Sequence, residues 1–195
     1  MTASTHQGDS PTMSTFYGQL HSFQTEGVDF LVSRRRALLA DDVGLGKTVQ
    51  IAAAAARLWP ELTGHPGLPL LYTTVAGLVA QTTKELRSRL PSLSIMEAST
   101  LRGAGHVPLP DVVVGSHDFL HRNLQIVLGW SPQLVVVDEA SALKGGGAKY
   151  ESVLGVCEQA PNRVIVATAT PIEKGLLTVW LTSDLWRHRS PLEGC

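Results

Sequence analysis

What most constrains the fold of this chain is the octapeptide Asp41-Asp42-Val43-Gly44-Leu45-Gly46-Lys47-Thr48. It is set between the apolar run Ala37–Ala40 and an alanine-rich segment from Val49 to Trp59. A glycine-rich turn that leaves a strand and opens a helix aims several backbone N–H groups, and the positive end of the helix dipole, at one spot. In that setting Lys47 reaches toward β- and γ-phosphates and the Thr48 hydroxyl can hold a magnesium ion. The strict loop pattern has a glycine where Asp41 stands, so this is a variant of it. A Gly-x-Gly-Lys-Thr string alone is moderately specific. The strand-loop-helix setting favours nucleotide binding over a purely structural turn.

The chain has 195 residues, enough for one domain with a real core and tight for two. Hydrophobic residues make up 44% and charged residues 17%, as in ordinary folded α/β domains. With a formal charge of −1 there is no global basic field, so any nucleic-acid contact must come from a local patch. Cys157 and Cys195 lack metal or redox spacing and suit a reducing cytosol. No run approaches a membrane span and the polar N-terminus has no signal-peptide core, so the expectation is a soluble cytoplasmic protein without a membrane partner.

Residues 1–14 are rich in Ser, Thr and Gly and read as a mobile tail, with one domain over 15–190. Strands are predicted at Ala37–Ala40, Leu70–Thr73, Ser94–Glu97, Val112–Gly115, Leu134–Val137 and Val164–Ala167. Three of these are continuous apolar runs, as parallel strands covered on both faces require. Helices are predicted at Lys47–Leu58, Gly77–Arg89, Ser116–Asn123, Ala148–Glu158 and Gly175–Arg187. Such alternation implies right-handed crossovers and a doubly wound parallel sheet, whose ligands bind beyond the carboxyl ends of the strands.

A second site element follows the loop by about ninety residues: Leu134-Val135-Val136-Val137-Asp138-Glu139-Ala140-Ser141, a buried strand ending in two carboxylates. Paired acids directly after four aliphatics suit a waiting divalent cation. Asp138 would hold Mg²⁺, and Glu139 would orient or deprotonate an attacking water. A strand merely ending in solvated acids is the bland alternative; the upstream loop decides against it, because both halves of one reaction centre are then present.

With these motifs in order, residues 16–187 resemble the first RecA-like lobe of a Swi/Snf-type ATPase of helicase superfamily two. The resemblance implies a three-layer α/β/α P-loop NTPase fold, a DNA-dependent ATPase or translocase activity, and ATP and Mg²⁺ as cofactors. Leu20–Val28 is similar to the family's adenine-recognition segment, with Gln24 at the glutamine that reads the base; an amide can pair with both a donor and an acceptor on adenine's edge. Asp41–Thr48 is close to Asp-Glu-x-Gly-Leu-Gly-Lys-Thr with Asp42 replacing glutamate, so Asp42, Gly44, Leu45, Gly46, Lys47 and Thr48 are the expected phosphate-binding residues. Asp138–Ser141 matches Asp-Glu-Ala-His, with Ser141 in place of the histidine that helps couple hydrolysis to the DNA side. Lys47, Asp138 and Glu139 are thus the expected catalytic residues, and Thr48 and Asp138 the metal ligands. Val166–Ile172 resembles the segment that senses the γ-phosphate, through Thr168 and Thr170. Ser116 and His117 stand where the family's backbone-contacting turn has threonine and tyrosine. Thr73, Thr74 and Gln81 lie in a stretch similar to another such motif, which here lacks its proline and tryptophan. Contacts of this kind are sequence-independent. Arg34-Arg35-Arg36, Arg87 and Arg89 read as solvated rather than as a DNA patch.

The resemblance also implies a second RecA-like lobe that carries arginine fingers, worth roughly 10³–10⁵ in turnover in related systems. The chain runs out shortly after Leu185-Trp186-Arg187, so the expectation is a lobe that is weak alone and works with a polypeptide supplying the second one. Two rival readings are a non-motor nucleotide- or DNA-binding regulatory module and a small P-loop kinase. The intact Asp138–Glu139 pair argues against the first, and the absence of an arginine-rich lid segment after Asp138 against the second.

Overall fold

Aliphatic runs with no polar alternation can satisfy their side chains only inside a covered sheet, and the strands assemble that way. The computed structural model describes residues 15–103, 108–144, 146–160 and 162–169; the expected N-terminal tail, Thr170 and the helix at Gly175–Arg187 lie outside these. Its strands are β1 (Arg36–Leu39), β2 (Leu70–Thr74), β3 (Ile95–Glu97), β4 (Val112–Ser116), β5 (Leu134–Val137) and β6 (Arg163–Ala167). All pair in parallel in the order β1-β6-β5-β2-β4-β3. The helices are α1 (Ser22–Ser33), α2 (Lys47–Thr63), α3 (Val79–Arg89), α4 (His117–Arg122), α5 (Leu124–Gly129) and α6 (Ala148–Gln159).

Period-two alternation along each strand divides the core into two layers. Leu70, Tyr72, Val112, Val114, Leu134, Val136 and Ile165 pack with residues of α1, α2 and α3. Leu71, Val113, Val135, Val137, Val164 and Val166 pack with residues of α4, α5 and α6. The result is the expected three-layer α/β/α sandwich. Each aliphatic buried in it contributes roughly 1.5–3 kcal/mol relative to exposure. Continuing the alternation one residue past β5 puts Asp138 on the α2 face, and this parity alone selects the layer in which its carboxylate works.

Helix α2 lies close on that layer because its sheet-facing positions are small: Ala52, Ala54 and Ala55 have no exposed surface. It runs five residues past its predicted end at Leu58, with Pro60 inside it. Proline removes one intrahelical hydrogen bond. Here Leu62, fully buried in the core, and a 2.9 Å bond from Thr63 Oγ1 to the Trp59 carbonyl carry the helix onward. Helix α5 has no counterpart among the predicted elements, being too short to display a period. No helix among the described residues is long and apolar enough to cross a membrane.

Candidate nucleotide-binding site

The loop between β1 and α2 turns on glycines. Gly46, the residue before α2, has φ +74°, and a Cβ there would lie 2.6 Å from Gln24 Nε2. Both the left-handed backbone and the close approach demand glycine. Gln24, on α1, is buried and its amide is a brace: Oε1 accepts from the His21 N–H at 3.0 Å and Nε2 donates to the Leu45 carbonyl at 3.1 Å. One N–H and one lone pair of that amide remain for a ligand.

A second brace comes from Gln50, which sequence reasoning missed. It is fully buried, and its Nε2 donates to Asp41 Oδ2 at 2.7 Å and to the Leu45 carbonyl at 3.5 Å. Asp41, at the position of the missing glycine, is therefore tied to the helix that the loop opens. A lone amide in a run of valine, isoleucine and alanine was the signal available. Lys47 is also buried, its Nζ donating to the carbonyls of Asp41 (2.8 Å) and Asp42 (3.1 Å). An ammonium has three N–H groups, so one is left for a phosphate oxygen.

From the tip of β5, Asp138 projects into the same space. Its backbone N–H extends the ladder to the Thr73 carbonyl at 2.8 Å. Its carboxylate accepts from the Tyr72 hydroxyl at 2.8 Å and from the Glu139 N–H at 2.9 Å. Burial raises the Asp138 carboxyl above its usual value, while Tyr72, the Glu139 N–H and Lys47 pull it back. Glu139 adopts φ +50°, ψ +44°, a left-handed conformation costing about 1–2 kcal/mol for a residue with a side chain. That turn breaks the strand's alternation and brings Glu139 to the cavity that Asp138 also lines. Lys47, Thr48, Asp138 and Glu139 line one cavity of about 260 Å³ together with Val43, Gly44, Gly46, Gln81, Thr82 and Glu85. Loop and acids thus form a single site. Its donors toward a cation are oxygens, as magnesium prefers, and among the described residues there is no cluster of three or more His, Cys, Asp or Glu to form a protein cage. Magnesium instead takes one or two protein oxygens plus phosphates, a set that Thr48 and Asp138 fit.

Other expected site residues are placed differently. Thr73, Thr74 and His117 are buried to within 2% exposure, so their side chains offer a passing phosphate no surface. They join the sheet tips instead. A carbonyl can only accept, so the 3.0 Å contact of His117 Nε2 with the Asp138 carbonyl puts the proton on Nε2. Nδ1 then accepts from Thr73 Oγ1 at 2.9 Å. With the Asp138 N–H on the Thr73 carbonyl, these three residues close a ring across the ends of β2, β4 and β5. Burial pushes the His117 imidazole down to about 4, so it is neutral. Ser116 is partly exposed, with its hydroxyl accepting from the Phe119 N–H at the start of α4. It borders a groove of about 410 Å³ shared with Ser99, Glu97, Asp118 and Arg122. Thr168 is buried at the tip of β6, bonded through its N–H to the Leu39 carbonyl at 3.1 Å.

The arginines expected to be solvated divide. Arg34 and Arg35 are exposed, whereas Arg36 begins β1 and donates to the carbonyls of Cys157 (2.7 Å) and Ala160 (3.2 Å), capping α6. Arg87 makes two bonds to the Ile95 carbonyl (3.2 and 2.8 Å), tying α3 to β3, and Arg89 is half-buried. Carbonyls at element ends recruited these groups, which a charge run in sequence does not show.

The profile of the DEAD/DEAH box helicase family matches residues 21–178. The chain belongs to that family. Within it, the chain is 28% identical to "Protein CHROMATIN REMODELING 19" of Arabidopsis thaliana, over 86% of this chain and 25% of the relative. It is 26% identical to "Putative ATP-dependent helicase/translocase YwqA" of Bacillus subtilis, over 94% of this chain and 21% of the relative. This helicase-family lobe therefore spans a quarter or less of these relatives. It also matches the Sulfolobus solfataricus SWI2/SNF2 ATPase core solved in complex with dsDNA, with a TM-score of 0.66 at 21% identity, over 87% of this chain and 36% of that one. At that identity the likeness concerns the fold, which is RecA-like.

Proposed function

We propose that this lobe binds ATP with Mg²⁺ and serves as the nucleotide-holding half of a DNA-dependent ATPase of the Swi/Snf type, acting with a second RecA-like lobe. The observation that carries this reading is the single cavity lined by Lys47, Thr48, Asp138 and Glu139. Phosphates would meet the N–H groups of the loop and the free N–H of Lys47, and the spare donor and acceptor of Gln24 suit an adenine edge. Thr48 and Asp138 would hold the cation, which when bound neutralises phosphate charge and orients the terminal phosphoryl group. Glu139, turned toward the cavity by its left-handed backbone, would position the attacking water. Thr168 and Thr170, following β6, would relay the state of the site.

Direct contacts to a DNA backbone would fall to Ser116, with Ser99 and Arg122 across its groove, rather than to Thr73, Thr74 and His117. Of these, Thr73 and His117 lie behind the contact surface and link it to Asp138. A fluorescent ATP analogue titrated with Mg²⁺ tests the reading. Lys47→Ala is expected to abolish binding with the fold intact by circular dichroism, whereas Glu139→Gln should still bind while losing hydrolysis in a two-lobe assay. Equal nucleotide affinity in wild type and Lys47→Ala would refute the site.

A further inference from the structure

Tyr72 is an unexpected side chain at this site. It lies on β2 in the middle of an aliphatic core layer and has no exposed surface, yet its hydroxyl reaches an acid 66 positions away in sequence. That hydroxyl donates to Asp138 Oδ2 at 2.8 Å. An ionised carboxylate only accepts, so the phenol proton goes to Asp138.

We infer that Tyr72 is a positioning residue for the cation: its buried phenol orients the Asp138 carboxylate that receives it. The inference rests on the ATP·Mg²⁺ reading and deepens it. An orienting hydrogen bond behind a metal ligand is typically worth 10–100-fold in metal affinity or activity. The other hydrogen bond to that carboxylate comes from the Glu139 N–H, at 2.9 Å. Removing the phenol oxygen alone leaves Lys47 and the loop unchanged.

The test is binding of the fluorescent ATP analogue to wild type, Tyr72→Phe and Lys47→Ala, each titrated from EDTA into Mg²⁺. Tyr72→Phe is expected to match wild type in EDTA and to need about 10–100-fold more Mg²⁺ for the same tightening. An unchanged Mg²⁺ midpoint in Tyr72→Phe, with Lys47→Ala inert, overturns the role of Tyr72 and leaves the site standing. Lys47→Ala binding as wild type does, with no Mg²⁺ effect in any protein, overturns both. If Tyr72→Phe does not fold, ¹⁹F NMR of fluorotyrosine-labelled Tyr17→Phe, Tyr150→Phe protein reads Tyr72 alone. Its resonance should shift when Mg²⁺ is added to the nucleotide-loaded protein, and a signal that ignores Mg²⁺ overturns the proposal.

Discussion

At the scale of single residues, His117 has the most readable consequence. Its imidazole is held neutral between Thr73 and Asp138 and pushed down to about 4 from an ordinary 6.5, by burial first, with Lys149 adding to the shift and the Asp138 carbonyl and Asp118 opposing it. A histidine with a depressed folded value binds fewer protons than the unfolded chain. Its stabilisation is complete above the unfolded value and drains as pH falls from about 6.5 toward 4. Between pH 7 and pH 5 the loss is about 2 kcal/mol. Urea unfolding at both pH values should show that loss in wild type and a smaller one in His117→Gln; equal losses would mean the imidazole is not the group that titrates. Residues such as Lys47, Asp138 and Glu139 were legible in sequence because contiguous strings bring them together. Tyr72, Gln50 and His117 were not, because each acts on a residue 66, 9 or 21 positions away that only the fold places beside it. The burial of Thr73 and Thr74 was not legible for the reverse reason: motif position does not show whether the strand beneath is covered.

At the scale of elements, the strands were read nearly to the residue because covered parallel strands leave continuous aliphatic runs, and Leu134–Val137 is the clearest of them. Helix boundaries were poorer guides. Pro60 suggests a stop, but the helix continues past it to bury Leu62 in the core. One close contact between helices was also invisible. A Cβ at Gly27 of α1 would stand 1.9 Å from Gln50 Oε1 of α2. Mid-helix alanine normally gains about 1 kcal/mol over glycine. Here the overpacking term, typically 1–3 kcal/mol, should reverse that sign. Gly27→Ala is expected to lower the urea midpoint and to weaken nucleotide binding, since it displaces the amide that braces Asp41 and the Leu45 carbonyl. In a Gln50→Ala background the same substitution should be nearly neutral, because the clashing group is gone. Additive effects in the double mutant would show that α1 does not hold the loop through this pair.

At the scale of the molecule, the proposed site would be half of a reaction centre. Its described walls supply phosphate-loop N–H groups, one lysine, three carboxylates (Glu85, Asp138 and Glu139) and the Thr48 hydroxyl, but no arginine among the lining residues. Charge developing on a transferring phosphoryl group needs cationic stabilisation beyond a single lysine and a metal, and an arginine contributed by a second lobe supplies roughly 10³–10⁵ in rate in related systems. The net charge of −1 gives no long-range attraction for DNA either, so stimulation must arise from local contacts near Ser116. The sheet offers a route inward from them: the ring of Thr73, His117 and Asp138 links the β4–α4 junction to the backbone of the proposed metal ligand. Residues 1–195 alone are therefore expected to bind ATP·Mg²⁺ and turn it over very slowly. Adding a second RecA-like lobe with duplex DNA should raise the rate by about 10³ or more, as measured by phosphate release. His117→Gln should keep nucleotide affinity yet lose most of the DNA-dependent part of that increase. Full DNA-stimulated turnover by the lone lobe would show instead that the missing positive charge is supplied from within this chain.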